Sequence, residues 1–319
     1  MTILVGSGLL ALPISSASGE AVPYLDALFT ATTSTCVTGL VTLPTVSTWS
    51  VFGQIVILLL IQIGGLGIIT IMSGLMLLLN RKMGIGDRLL IQDAFNLNTM
   101  SGLAKFVKNV LFGTLIIEGI GAILYMFVFV PEFGAKGIWI SVFNSVSAFC
   151  NAGFDIFGTG QSVITLNNDP VVLITLMVLI AVAGLGFFVW EEVVRVRNFR
   201  KFSVYTKLVL LTSGALLLLG TALTLLLEWD NPNTLGAMTP GQKILNGFFQ
   251  SVSLRTAGFS AVDQASLTDG GKAVSIVLMF IGGSSGSTAG GAKTVTIVVL
   301  LLFLFTRIRG KRDVTVFRR

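Results

Sequence analysis

Three stretches of this chain share residues and spacing that suit ion chemistry better than bond-making. They run Phe29–Leu40, Phe143–Phe154 and Phe248–Phe259. Aligned without gaps, each has a Phe ten residues before a glycine (Gly39, Gly153 or Gly258), Thr or Ala just before it and an apolar residue after it. Each opens as a mixed polar and apolar stretch too short to cross a bilayer, which needs about 20 apolar residues. Non-helical backbone at membrane depth is tolerated only where it is buried in protein or lines a watery cavity. Glycine accepts dihedrals that a Cβ forbids, so it can turn carbonyls toward a common axis. Carbonyls so arranged replace the water shell of a dehydrated cation, and a short helix ahead of them aims its partially negative C-terminal end at the ion. A single such glycine reads better as a close helix-packing contact. Three in register, each between apolar runs, point to a pore lining.

Most catalytic chemistry is excluded by composition. The chain has no histidine, so Ser-His-Asp and Cys-His hydrolysis, His-ligated zinc and His proton relays are absent. Cys36 and Cys150 cannot build a disulfide framework or a four-ligand metal site alone. Both fall three residues before a motif glycine, where they read as small buried fillers.

The elements that must carry these motifs are membrane helices. Of 319 residues, 53% are hydrophobic and only 11% charged, with mean hydropathy +0.89; soluble domains carry about 25% charge. The 54 residues between Asp26 and Arg81 include no charge at all. Apolar runs at 51–79, 106–130, 170–190, 207–227 and 272–306 predict an all-α polytopic membrane protein, and the run 1–13 reads as part of a helix. Sixteen of the 21 cations fall in three segments, Arg81–Lys108, Arg195–Lys207 and Arg307–Arg319, whereas nine of the 15 acids fall in the alternate ones. The basic segments are therefore cytoplasmic, and they suit anionic lipid or an acidic partner. The three glycine motifs enter from outside.

The last apolar run is interrupted by Gly282-Gly283-Ser284-Ser285-Gly286-Ser287-Thr288-Ala289-Gly290-Gly291-Ala292-Lys293. Five glycines and four hydroxyl residues in twelve positions predict a broken helix, each glycine costing about 1 kcal/mol relative to Ala. A phosphate loop needs Gly directly before Lys-Thr, and Ala292 intervenes. A packing kink and a mobile plug both remain open. Glu118, the only carboxylate inside a predicted span, is either a cation-coupling group or a hydrogen-bond partner within the helix bundle. Lys293 sits near the cytoplasmic side of the broken run or snorkels to the interface. Arg255 reads as a brace on backbone carbonyls, since a cation beside a cation path would repel the ion. Gly64, Gly65, Gly67, Gly184 and Gly186 predict close packing or flexing of helices.

Taken together, Gln62-Ile63-Gly64-Gly65-Leu66-Gly67, Asn151-Ala152-Gly153-Phe154, Arg255-Thr256-Ala257-Gly258-Phe259 and the run Gly282–Thr294 resemble the bacterial KtrB/TrkH and plant HKT potassium transporters, most closely KtrB. The resemblance implies helix–pore loop–helix units around a pseudo-fourfold axis, three of the family's four being present. By resemblance the filter residues are Val37, Thr38 and Gly39; Asn151, Ala152 and Gly153; and Thr256, Ala257 and Gly258, which hold K+ through backbone carbonyls. The loop 282–293 is by resemblance an intramembrane gate. The units divide as 1–79 with pore loop 24–40, a cytoplasmic linker 80–104, 105–195 with pore loop 138–155, 196–306 with pore loop 241–260, and a connection 307–319. The glycines are 114 and 105 residues apart, so the chain is expected to lack a fourth unit and part of its first helix.

The family further implies a homodimer in the plasma membrane of a bacterial cell, a cytosolic nucleotide-binding ring as partner, no cofactor beyond the transported K+, and an open question of Na+ dependence. A TrkH-like transporter is the neighbouring alternative. A membrane-embedded enzyme and a proton-driven transporter lack the titratable groups they need.

Overall fold

The computed structural model describes residues 1–67, 70–71, 73, 103–157 and 162–310. The linker expected at 80–104, apart from its last two residues, and the tail 311–319 lie outside these. Among the described residues the chain is all-helical, its only β features being the isolated bridges Ser16–Trp49 and Ile281–Ala292. In chain order the helices are α1 (Thr2–Leu10), α2 (Tyr24–Thr35), α3 (Thr45–Thr48), α4 (Val51–Leu66), α5 (Leu103–Phe133), α6 (Ala135–Phe149), α7 (Pro170–Leu185), α8 (Phe187–Val196), α9 (Val204–Glu228), α10 (Pro240–Ser253), α11 (Asp269–Phe280) and α12 (Thr294–Ile308).

Among the described residues two helices are long and apolar enough to cross a membrane by themselves, α5 and α9. At about 1.5 Å per residue they reach roughly 46 and 38 Å. Their outer faces carry exposed Phe112, Leu115, Ile120, Phe127, Leu218 and Leu226, which water would not tolerate as a belt but lipid does. The interior is unusually polar. Thr30, Thr33 and Ser34 of α2, Asn144, Ser145 and Ser147 of α6, and Asn246, Gln250, Ser251 and Ser253 of α10 are all buried. The short helices thus present their hydroxyls and amides inward, behind the walls formed by the longer ones.

The packing follows one rule. In the groups α1–α2–α4 and α5–α6–α7 the middle helix lies against both flanking ones, and α10 and α11 both pack on α9; between groups, α4 packs on α6 and α7 packs on α10. Local chemistry sets the boundaries. Gly134, at φ 59°, ends α5 and lets the chain reverse into α6. A Cβ on Gly137 would come within 2.2 Å of the Phe129 carbonyl oxygen, so only glycine permits that crossing. Asp169 Oδ1 caps α7 by accepting from Val171 N at 2.8 Å and Val172 N at 3.2 Å. The buried Glu192 carboxylate accepts from the amide and hydroxyl of Ser203 and from the Thr206 hydroxyl, fixing the start of α9 to α8.

Three apolar runs are interrupted. The run 51–79 leaves α4 at Gly67, and the run 170–190 breaks at Gly186, where α7 and α8 meet at 94°. The run 272–306 divides into α11 and α12 around residues 281–293, where a broken helix is expected. Hydropathy is blind to the first two breaks because Gly67 and Gly186 sit among apolar residues.

Candidate functional site

The ends of the three short helices carry a common backbone signature. Val37, Asn151 and Thr256 have φ values of 55, 55 and 65°, and the glycines two residues later, Gly39, Gly153 and Gly258, have 75, 68 and 81°. The residues between them, Thr38, Ala152 and Ala257, are not left-handed. Left-handed geometry is uncommon for any residue with a Cβ and costs most for a β-branched one. Val37 and Thr256 are both β-branched, so the surroundings enforce it.

Part of that enforcement is visible. In α2 the amide of Thr38 donates to the Thr33 carbonyl at 2.9 Å and that of Val37 to Ser34 at 3.3 Å; in α6 Ala152 donates to Ser147 at 2.8 Å and Asn151 to Ala148 at 3.1 Å. This is the paired capping of a helix that ends in a left-handed residue. At α10 the closure is one residue tighter, Ala257 to Ser253 at 3.0 Å. A hydroxyl in each last turn then ties down the residue after the glycine. Thr33 Oγ1 accepts from Leu40 N at 3.0 Å, Ser147 Oγ donates to Phe154 O at 2.5 Å, and Ser253 Oγ donates to Phe259 O.

The three segments meet at one place. A Cβ on Gly39 would lie 2.6 Å from Ala152 O, one on Gly153 would lie 2.9 Å from Gly258 Cα, and one on Gly258 2.9 Å from Gly153 Cα. Any side chain at these positions would enter the others' backbone. Behind them, α4 supplies a smooth wall: a Cβ on Gly64 would lie 2.1 Å from Thr35 O, and one on Gly65 2.7 Å from Cys150 Sγ. Chemically the result is a convergent set of uncharged peptide groups at the C-terminal ends of three helices.

The 282–293 loop seats directly against these helix ends. Gly290 N donates to Thr256 Oγ1 at 2.9 Å, and Thr288 Oγ1 donates to Phe149 O, the last residue of α6, at 3.0 Å. Ser284 N donates to Gly184 O at 3.0 Å, Gly286 O accepts from Phe187 N at 2.9 Å, and Ser285 O accepts from Tyr205 Oη at 3.0 Å. Inside the loop, Gly282 N bonds Ala292 O, Gly283 N bonds Gly290 O, Ser287 Oγ bonds Ser284 O, and Lys293 Nζ folds back on Ala289 O at 2.8 Å. Gly286 and Gly291 take positive φ.

Comparison with known proteins agrees with this architecture. The family model described as TrkH, cation transport protein, matches residues 2–319. The chain belongs to the TrkH family of cation transport proteins. It is 41% identical over 318 residues to the potassium/sodium uptake protein NtpJ of Enterococcus hirae, covering 99% of this chain and 70% of that protein. It is 39% identical over 322 residues to the Ktr system potassium uptake protein B of Bacillus subtilis, covering 100% of this chain and 71% of the relative. The crystal structure of the potassium transporter TrkH from Vibrio parahaemolyticus shares the fold, with a TM-score of 0.72 at 17% identity over 98% of this chain; this chain spans 63% of that one. Members of this family are membrane transporters and not enzymes.

Within this family frame, the position three before each motif glycine has three different fates. Cys150 is fully buried, as expected of a filler, but Cys36 is exposed, a correction to its expected burial. Among the described residues its helix packs chiefly against α1 and α4. Arg255, at the third such position, is buried and its Nη2 donates to Gly282 O at 3.3 Å. It braces a carbonyl, but one in the loop rather than in the glycine segments.

Sequence reading missed two features. The first is the repeated Gly-Leu-Gly at 65–67 and 184–186: Gly67 (φ 81°, ψ 139°) and Gly186 (φ 94°, ψ 144°) break their helices in nearly the same way. The repeat was visible as letters, but its φ was not. The second is Asp155, two residues beyond Gly153. Its Oδ1 is buried without a partner, and burial pushes its carboxyl up to about 6, although amide donors at Phe157 and Ser162 pull the other way.

Proposed function

We propose that this chain forms the conduction pathway of a potassium-uptake system, passing K+ passively through a filter with one glycine per segment. The filter residues are Val37, Thr38 and Gly39; Asn151, Ala152 and Gly153; and Thr256, Ala257 and Gly258. The observation that carries this reading is their shared backbone, two positive-φ residues flanking one of negative φ, at the ends of three converging helices. Such a backbone offers carbonyls without charge, which is how a site can strip a monovalent cation of water and still release it. The names of the relatives, potassium uptake and potassium/sodium uptake, favour K+ as cargo with Na+ as a second ion.

In this reading residues 282–293 are the gate. Their neutral hydrogen bonds to Thr256, Phe149, Gly184 and Tyr205 hold the closed position. The units are those delimited above, grouped about a pseudo-fourfold axis. A bacterial plasma membrane, a homodimer, a cytosolic nucleotide-binding ring and anionic lipid at the basic segments complete the assembly by family resemblance and by charge.

Growth of a potassium-uptake-deficient strain on low K+ tests the reading, using the full-length protein. Rescue by the wild type and loss of rescue with Gly153→Ala is the expected result. A well-expressed wild-type protein that neither rescues growth nor accumulates Rb+ would overturn it.

A further inference from the structure

A carboxylate in the middle of the apolar helix α5 demands an account of its partners. Glu118 is 5% exposed. Its Oε2 accepts from Gln62 Nε2 at 3.2 Å, while Oε1 is buried without a partner. Gln62 does not stop there: its Oε1 accepts from the Cys150 thiol at 3.4 Å. The main-chain oxygen of Glu118 takes the Ser145 hydroxyl at 2.6 Å. One residue of α5 thus grips α6 twice, at its third turn directly and at its C-terminal cap through an amide on α4.

We propose that Glu118 is a positioning residue for the second glycine segment, holding Cys150, and with it Asn151–Gly153, through Gln62. The inference rests on the filter reading above. Its physical core is polarity. The Glu118 carboxyl offers acceptor oxygens, whereas an amide side chain can present either face. Opposite Glu118, Gln62 turns its NH2 group toward the carboxyl, so its oxygen faces the thiol. Cys150 is the residue next to the left-handed Asn151, and Gly65 is what lets α4 come close enough, since a Cβ there would lie 2.7 Å from Cys150 Sγ. The arrangement is confined to this segment. At the equivalent place in the first segment Cys36 is exposed, and in the third Arg255 turns to the loop.

The test uses the full-length protein in proteoliposomes, with Rb+ uptake competed by K+ and by Na+, and Cys36→Ser as background. Gln62→Leu and Cys150→Ala remove the link and are expected to lower the K+-over-Na+ preference about fivefold, the worth of one hydrogen bond. Cys150→Ser restores a donor and keeps the preference. Glu118→Gln frees the Gln62 amide to turn and gives an intermediate loss. Infrared spectroscopy reads the link independently of transport: the Cys150 S–H band is hydrogen-bonded in the background protein and moves to the free position with Gln62→Leu and, in part, with Glu118→Gln. If Gln62→Leu does not fold, the smaller Cys150→Ala carries the test. Unchanged selectivity in folded variants, or a free S–H band in the background protein, overturns this inference and leaves the functional reading standing. A background protein that carries no K+ or Rb+ defeats both.

Discussion

The helices leaving the first two glycine segments and the one leaving the third all break, but they break differently. After the first and second segments the helix ends at a glycine, Gly67 or Gly186, with φ and ψ alike within about fifteen degrees. After the third it is the whole stretch between α11 and α12. A single glycine redirects the helix and leaves few amides unpaired. A thirteen-residue break frees many backbone groups that must be satisfied inside the protein. Here several bond outside the loop, to Gly184, Phe187 and Phe149 of α6–α8 and to Thr256 and Tyr205 of the loop's own unit. The long break thereby ties the third unit to the second, as the proposed gate needs.

The most severe way to break the comparison is to remove the long loop. Deleting Gly283–Gly290 from the full-length protein is expected to raise Rb+ flux tenfold or more, on the order of the loss of several docking hydrogen bonds; unchanged flux would remove the gating role. Gly186 and Gly67 test whether the two short breaks are equivalent. A Cβ on Gly186 would lie 2.8 Å from Ser285 O, whereas among the described residues the nearest atom to one on Gly67 is Thr70 Oγ1 at 4.0 Å. Gly186→Ala should therefore cost about 3 kcal/mol, from backbone strain and collision together, and Gly67→Ala about 1 kcal/mol from strain alone. Thermal unfolding in detergent measures both, and equal losses would make the two breaks interchangeable.

Smaller effects come from single ties. Thr256→Val keeps the side-chain shape and removes the acceptor for Gly290 N, so closed-state leak should rise about fivefold. Tyr205→Phe removes one bond to Ser285 O and should raise leak about twofold to threefold, in the same Rb+ efflux assay. The smallest effect concerns the outer side. The Asp155 carboxyl, raised to about 6 by burial, is charged above that pH and neutral below it. Uptake at subsaturating K+ should fall as external pH drops through 6, and Asp155→Asn should flatten the profile. The stability sign is opposite. A carboxyl raised above its unfolded value disfavours the folded state once both forms are ionised, so this contribution improves as pH falls through 6.

Much of the site was legible in the letters. The three glycines, their distance from a phenylalanine and the Gly-Ser-rich run all lie where the backbone turns left-handed or leaves the helix. What was hidden is pairwise. Cys36 and Cys150 are identical by motif position, yet one faces out and one meets Gln62. Glu118 read either as a cation-coupling acid or as a bundle hydrogen bond. Its Gln62 partner lies 56 positions away, and no periodicity reports such a pairing. Gly67 and Gly186 were visible as flexible points, but a break needs a φ, and φ depends on what packs around it.

The sequence by itself determined the solvent and the local grammar. Its scarcity and sorting of charge require a membrane and set the sidedness, and its glycines mark where helices cannot continue, because hydrophobicity and backbone sterics act within a few residues. Convergence comes from the tertiary structure: that Gly39, Gly153 and Gly258 meet, that the 282–293 loop docks on Thr256 and Phe149, and that the buried Glu118 carboxyl reaches Cys150 through Gln62. Those contacts join residues from 34 to 139 positions apart. They exist only because the helices between them are rigid and packed, so the positions of their ends are fixed by the whole bundle rather than by neighbours in the chain.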